Sequence, residues 1–366
     1  MSRNAIGTSI VGSLPRVFPK GAVPVVENVT RMKAVGLSHM SDGEWSKPSY
    51  VSYIAQRCDG FGGKARSFGA RDLIDFPNFA KQQVARKSVI PVENDYNIAC
   101  IGEVRVKDRS HLDHDISMFI SALRDLNVPG DLRQHFLTSA SPGVITLFLQ
   151  NKFYASHEEY LARLVEVMRE EYEQIAASGL TLQIDCPDLA MGKNLNYSKL
   201  TIPEFRKIAN LHVDALNDAC VNIPAEQLRL HLCWGNWEGP HHHDIDLPEI
   251  WDIVMRAKPK YLLLESANPR HAHQVGYFET KQLVLPDCKV LVPGVIDSTS
   301  NYIEHPQLVA RRISEWIRVL GRERVIAGTD CGFGTFDCVH TVHPDIVWPK
   351  LQSLCDGAAI ASRLPN

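Results

Sequence analysis

The sequence repeats one unit eight times: a short apolar run, then a longer stretch with apolar residues three and four apart. The runs lie at 9–13 (SIVGS), 39–44 (HMSDGE), 143–148 (GVITLF), 182–187 (LQIDCP), 228–233 (LRLHLC), 261–266 (YLLLES), 290–297 (VLVPGVID) and 324–331 (RVIAGTDC). Helical spacing is clearest over 158–177, 202–219, 248–257 and 306–320. Strands alternating with amphipathic helices build a parallel sheet that the helices cover. Eight such units predict a TIM (β/α)8 barrel in a single domain spanning 1–366. Residues 58–140 interrupt the rhythm: they exceed one crossover and contain a hairpin pattern, YNIACIGEVRV at 96–106. We read 58–140 as an insertion between the second and third strands that covers the barrel mouth. An open doubly wound sheet is the alternative, but the glycine-rich GFGGKARSFGA at 60–70 follows no strand and no dinucleotide fingerprint appears.

Charge narrows the function. The chain of 366 residues carries 39 basic and 42 acidic side chains, with no block of one sign suited to nucleic acid or a membrane surface. A small polar substrate is the expectation. The first residues, MSRNAIGTSIVGSLPR, lack the pattern of a secretory signal, and no apolar run reaches the ~18 residues of a membrane span. A cytoplasmic protein is therefore expected. Nine cysteines without regular spacing argue for reduced thiols rather than a disulfide framework. Cys58, Cys220 and Cys355 read as inert core residues.

In a barrel of this kind the chemistry sits at the C-terminal ends of the strands. Those ends carry His231 and Cys233 in the fifth strand, Glu265 in the sixth, Asp297 in the seventh, and Asp330 with Cys331 in the eighth. Residues two apart on a strand share a face, so His231 and Cys233 can point at one ion, and Glu265 and Cys331 can complete a tetrahedron. Taken singly, each is an ordinary buried residue. Together, one imidazole, two thiolates and one carboxylate suit Zn2+ better than magnesium or calcium.

The motifs VGSLPR, DGE, QIDCP, HLC, LLLES, PGVID and GTDCGF occur in the order and at the strand positions of the catalytic barrel of cobalamin-independent methionine synthase. The chain resembles a short, single-barrel branch of that family, which also includes epoxyalkane:coenzyme M transferase-like proteins. The resemblance implies that His231, Cys233, Glu265 and Cys331 bind a catalytic zinc that activates a substrate thiol. It also implies that Ser13, Glu44 and Asp185 hold the amino acid part of homocysteine.

Departures from that pattern cluster on one side. Cys186 stands where an acidic residue is expected after Asp185, and Thr299 replaces a histidine two residues after Asp297 that would protonate a folate leaving group. No tryptophan follows the third run; LFLQNKFY offers Phe153 or Tyr154 for stacking instead. The loop WGNWEGPHHHDIDL is lengthened, so His241, His242 or His243 can supply the missing proton and Trp234 or Trp237 can wall the pocket. His271, His273 and Arg270 can face the same mouth, and Arg16 and Arg270 can hold an anionic group. The reading is a zinc-dependent thiol alkyltransferase acting on a small-molecule thiol and a carbon electrophile, an epoxide or other alkyl donor, with His241, His243 and Asp297 as candidate catalytic residues. A core methionine synthase using methyltetrahydrofolate is the first alternative. A metal-free uroporphyrinogen decarboxylase-like enzyme and a non-catalytic zinc- or thiol-binding protein are the others.

Overall fold

Six parallel strands form a curled sheet in the order β3-β5-β6-β7-β8-β9. The structure is a computed structural model that describes residues 5–49, 52–65, 69–85, 98–336 and 341–364, the side chain of Val84 excepted. In chain order its strands are β1 (Cys58–Gly62), β2 (Ala99–Val106), β3 (Phe136–Ala140), β4 (Gln150–Asn151), β5 (Thr181–Asp185), β6 (Leu228–Leu232), β7 (Tyr261–Leu264), β8 (Val290–Ile296) and β9 (Gly328–Thr329). The 9–13 and 39–44 runs take part through single bridges. Ser9 N donates to Ala327 O, His39 N donates to Thr8 O, and Phe136 N donates to Met40 O, each at 2.9 Å.

Alternation along β6 shows how the site is aimed. Leu228, Leu230 and Leu232 are buried in the hydrophobic core, each contributing about 1.5–3 kcal/mol. Arg229 and His231 therefore point to the opposite face. There Arg229 bonds Gln183 and Ser9 and lies 3.9 Å over the Phe136 ring. Parallel register sets Asp185 beside His231, so the ends of β5 and β6 present their polar residues together.

The third strand differs from the sequence reading. The run 143–148 is not a strand but part of the helix Pro142–Phe148. Ser141 accepts a hydrogen bond from Val144 N, and Pro142 occupies the first turn. A strong local cap with a proline behind it overrides the β preference of Val-Ile-Thr. The strand is Phe136–Ala140, the last five residues of the segment assigned to the insertion. The pattern at 96–106 likewise does not close on itself. Its residues 99–106 form β2, which pairs antiparallel with β1, while Tyr96 and Asn97 lie outside the described residues.

The helices at 157–177, 202–219 and 306–320 form as the spacing predicts. Thr201 and Glu204 close a capping box at the second of these, and Ser156 caps the first. Among the described residues no helix is long and apolar enough to cross a membrane.

Candidate metal centre

His231, Cys233 and Cys331 come together at the sheet's C-terminal edge, with one donor atom from each within 4.8 Å of the others. The two sulfurs are 4.0 Å apart and all three residues are buried. His231 Nδ1 lies 3.0 Å from Asp185 Oδ1, whereas its Nε2 is buried without a hydrogen-bond partner. An N–H directed to a carboxylate behind, and a bare nitrogen in front, is the tautomer a metal-binding imidazole needs.

The charge balance is consistent with a cation there. The Cys331 hydrogen bond, burial and the Cys331 charge all push the Cys233 thiol well above its ordinary range. Burial, then the charges of Cys233 and Asp330, do the same to Glu265. For His231, burial opposes the proton, but the hydrogen bond to Asp185 and the nearby Cys233 raise its pKa to about 10. A divalent ion would reverse each of these preferences, releasing protons as it binds.

Glu265 stands beside this cluster, not within the same 4.8 Å. Its Oε1 accepts from Trp234 N at 2.8 Å and its Oε2 from the Asn268 amide at 2.9 Å. Asp330 accepts from the backbone N–H groups of Ser266, Ala267 and Asn268, which shapes the turn carrying Glu265. Burial nonetheless raises its pKa to about 7. Asp297 is bound by the backbone and hydroxyl of Thr299, both at 2.8 Å.

Two carboxylates, Glu44 and Asp185, lie on the other flank. Burial raises Glu44 to about 7, with Lys47 opposing and Asp185 adding to the rise. Thr138 donates to Glu44 Oε1 at 2.9 Å, and Lys47 Nζ bonds Thr138 at its carbonyl and hydroxyl. Only glycine fits at position 12, since a Cβ there would meet Glu44 Oε1 at 2.5 Å. Gly332 is constrained in the same way by Ser13 Oγ at 2.0 Å. Ser13 Oγ accepts from Gly334 N at 3.3 Å.

The cationic and histidine candidates separate. Arg16 directs its guanidinium to the carbonyls of Glu44, Lys47 and Gly334, which ties the two loops together. Arg270 is exposed. His241 and His271 both lie against Asp244 Oδ2, at 2.9 and 3.0 Å. His242 and His243 instead meet Asp75, at 2.9 and 2.5 Å, and His243 N donates to Asp72. Tyr154 stacks on Tyr160 and its hydroxyl accepts from Val104 N, while Phe153 is exposed.

The fold matches known proteins. A B12-independent methionine synthase from Shewanella sp. W3-18-1, solved in complex with selenomethionine, superposes with a TM-score of 0.71 over 97% of both chains at 16% identity. In sequence, the chain is 27% identical over 223 residues to a methionine synthase of Thermococcus kodakarensis, covering 61% of this chain and 56% of that one. It is 25% identical over 231 residues to 2-hydroxypropyl-CoM lyase of Xanthobacter autotrophicus, covering 57% and 56%. Its homologues thus include a methionine synthase and 2-hydroxypropyl-CoM lyase, and its structural neighbours include B12-independent methionine synthases. No family model matches it. The match spans little more than half the length of either of these sequence relatives.

Several residues at the site escape the sequence reading. Asn268 bonds both Glu265 and Asp330, and Lys47 with Thr138 braces Glu44. Asp244 gathers two histidines from different loops. Asn268 and His271 lie together in ANPRHAH, but nothing in that stretch points to Asp244 as their partner.

Proposed function

We propose that this chain is a zinc-dependent thiol alkyltransferase, in which a substrate thiol attacks a carbon electrophile at the C-terminal edge of the curled parallel sheet. The observation that carries the reading is the buried set of His231, Cys233 and Cys331, with the His231 Nε2 partnerless and Asp185 behind it. Nitrogen and sulfur donors fit zinc, and Glu265 is the adjacent carboxylate that can join them. When bound, zinc makes a substrate thiol acidic enough to be a nucleophile at neutral pH.

The chain's own residues do the rest. Asp185 fixes the His231 tautomer through Oδ1, which also takes the Gln183 amide and leaves Oδ2 for a ligand. Asp185 raises the cost of ionising Glu44, and an ammonium between the two carboxylates relieves it. The acceptor is thus an aminothiol of the homocysteine kind, with the Ser13 hydroxyl available to its carboxylate. An anion-only thiol, or a polycarboxylate, finds Arg16 already engaged by three carbonyls.

On the donor side we assign His241, Asp244 and His271. The Trp234 ring packs against His271 and its backbone N–H bonds Glu265, so this group adjoins the metal centre, whereas His243 is turned to Asp75. As the carbon–sulfur bond forms and the bond to the leaving atom breaks, the electron pair on that atom meets the positive charge of this group. Asp297 positions Thr299 in the place of the absent histidine. The helix Arg71–Asp75, in the 58–140 segment, covers this loop through Asp72 and Asp75.

The test is metal analysis of purified protein together with thiol consumption. Near-stoichiometric zinc that disappears in Cys331→Ser, and alkylation of homocysteine by an epoxide, are the expected results. Steady turnover with methyltetrahydrofolate would instead make the chain a core methionine synthase, and absence of zinc from the native protein would remove the reading.

A further inference from the structure

We propose that His241, Asp244 and His271 bind a second divalent metal ion, at a nitrogen- and oxygen-donor site separate from the cysteine centre. One donor atom from each lies within 4.8 Å of the others. They come from two loops, one after β6 and one after β7, so their meeting is not a product of local sequence. His241 and His271 are 9% and 3% exposed, and the Asp244 side chain is 2% exposed.

Hydrogen positions decide between an ion pair and a metal site. His241 Nε2 lies 3.0 Å from Trp237 O, a carbonyl that accepts only, so that nitrogen carries a proton. His271 Nδ1 lies 2.8 Å from the Gln274 side-chain amide, whose Oε1 is buried without a partner. Turning that amide over brings its oxygen to the His271 Nδ1–H, the exchange that amide assignment permits. Both imidazoles then direct an outer N–H to a carbonyl oxygen, which is how metal-bound histidines are held. With a metal ion in place of the proton, their inner nitrogens, His241 Nδ1 and His271 Nε2, would face it beside Asp244 with lone pairs. Three electron-pair donors converging in a buried place need a cation between them.

Asp244 supplies the independent sign. Its Oδ2 serves both histidines, but its Oδ1 is buried with no hydrogen-bond partner. A proton shared between His241 and Asp244 Oδ2 leaves that oxygen unsatisfied; a metal ion beside the carboxylate does not. His241 also holds a left-handed backbone, with φ of 52°, at which its ring is braced from both ends. Two imidazoles and one carboxylate take a first-row divalent ion such as Zn2+, Mn2+ or Fe2+, with positions left open for a ligand. Trp234 joins the two centres: its ring packs against His271 at 4.5 Å, tilted by 34°, and its backbone N–H bonds Glu265. The ion's role, receiving the electron pair of the leaving atom, rests on the donor-side reading above; its presence does not.

The experiment compares ion content in wild type, the Cys233→Ser/Cys331→Ser double variant, and that variant with Asp244→Asn added. Each is dialysed against Co2+ and then measured by elemental analysis and absorption. Wild type is expected to hold two equivalents and to show thiolate-to-cobalt charge transfer. The double variant should hold one, with ligand-field bands and no charge transfer, and the triple variant none. A double variant that holds no more cobalt than the triple variant overturns the site, whether or not wild type alkylates thiols. Should the cysteine variants not fold, Mn2+, which thiolates bind poorly, is added to wild type and to Asp244→Asn. A rise in melting temperature in wild type alone supports the site, and equal shifts in both overturn it.

Discussion

The two flanks of the site are built by different means. On the thiol side, His231 and Cys233 are positioned by alternation along β6 and by a parallel register that fixes Asp185 beside them. On the donor side, His241, Asp244 and His271 sit on loops, and their partners are chosen by tertiary contact. Strand ends hold a donor set with little freedom, so the first flank suits an ion that must stay put. Loops tolerate replacement, so the second is where relatives of one fold diverge in substrate.

The largest effect is expected from breaking the strand-built flank. Cys331→Ser should abolish zinc and lower alkyl transfer about 10³-fold or more, since a Lewis acid is worth several kcal/mol to the reaction. Elemental analysis and a thiol-consumption assay measure both. Zinc retained at wild-type level would show that the two sulfurs, 4.0 Å apart, serve something other than a metal. Asp244→Asn breaks the loop-built flank. Transfer should fall about 10²-fold while one equivalent of zinc remains at the cysteines. Loss of both ions together would make the flanks a single unit and end the contrast.

That contrast also sets what was legible from sequence. The βα repeat and the polar strand ends follow from periodicity, so the curled parallel sheet and the cluster of His231, Cys233 and Cys331 could be read before any coordinates. The third strand could not. Val-Ile-Thr at 144–146 has the stronger β preference, but the Ser141 cap and Pro142 make it a helix, and the less conspicuous FLTSA takes the strand. HHH at 241–243 looked like one feature. The structure divides it, His241 going to Asp244, and His242 and His243 to Asp75. Those partners lie 3 residues away in one case and more than 160 in the other, and no spacing rule reaches the second.

A smaller, pH-dependent effect sharpens the thiol flank. Glu44 must be ionised to hold an ammonium, and burial raises its pKa to about 7. The KM for an aminothiol should therefore rise as pH falls below about 7, roughly tenfold per unit, with kcat less affected. Glu44→Gln should remove that dependence and raise KM about 10- to 100-fold at pH 8. Its stability should change in the opposite sense. Because the folded pKa lies above the ordinary value of 4.5, wild type loses stability as pH rises from 4.5 through about 7, and the loss is constant above that. Glu44→Gln should be the more stable protein at pH 8, by on the order of 2 kcal/mol, and equal to wild type below pH 4.5. Parallel denaturant titrations at the two pH values measure this; a wild type more stable at pH 8 would mean that Lys47 outweighs burial.

The smallest effect separates neighbours in one loop. His243 Nε2 lies 2.5 Å from Asp75 Oδ2, and its backbone N–H donates to Asp72, so it braces the loop against the helix Arg71–Asp75. An imidazole 21% exposed, facing a carboxylate 44% exposed, makes a solvent-screened pair that contributes little to stability. His243→Ala should thus leave alkyl transfer within about threefold of wild type and change stability little. His241→Ala, two residues earlier, should match Asp244→Asn in its loss of transfer. If both alanine variants lose activity equally, the loop acts as one body, and the division of its histidines between two carboxylates is a matter of packing rather than of chemistry.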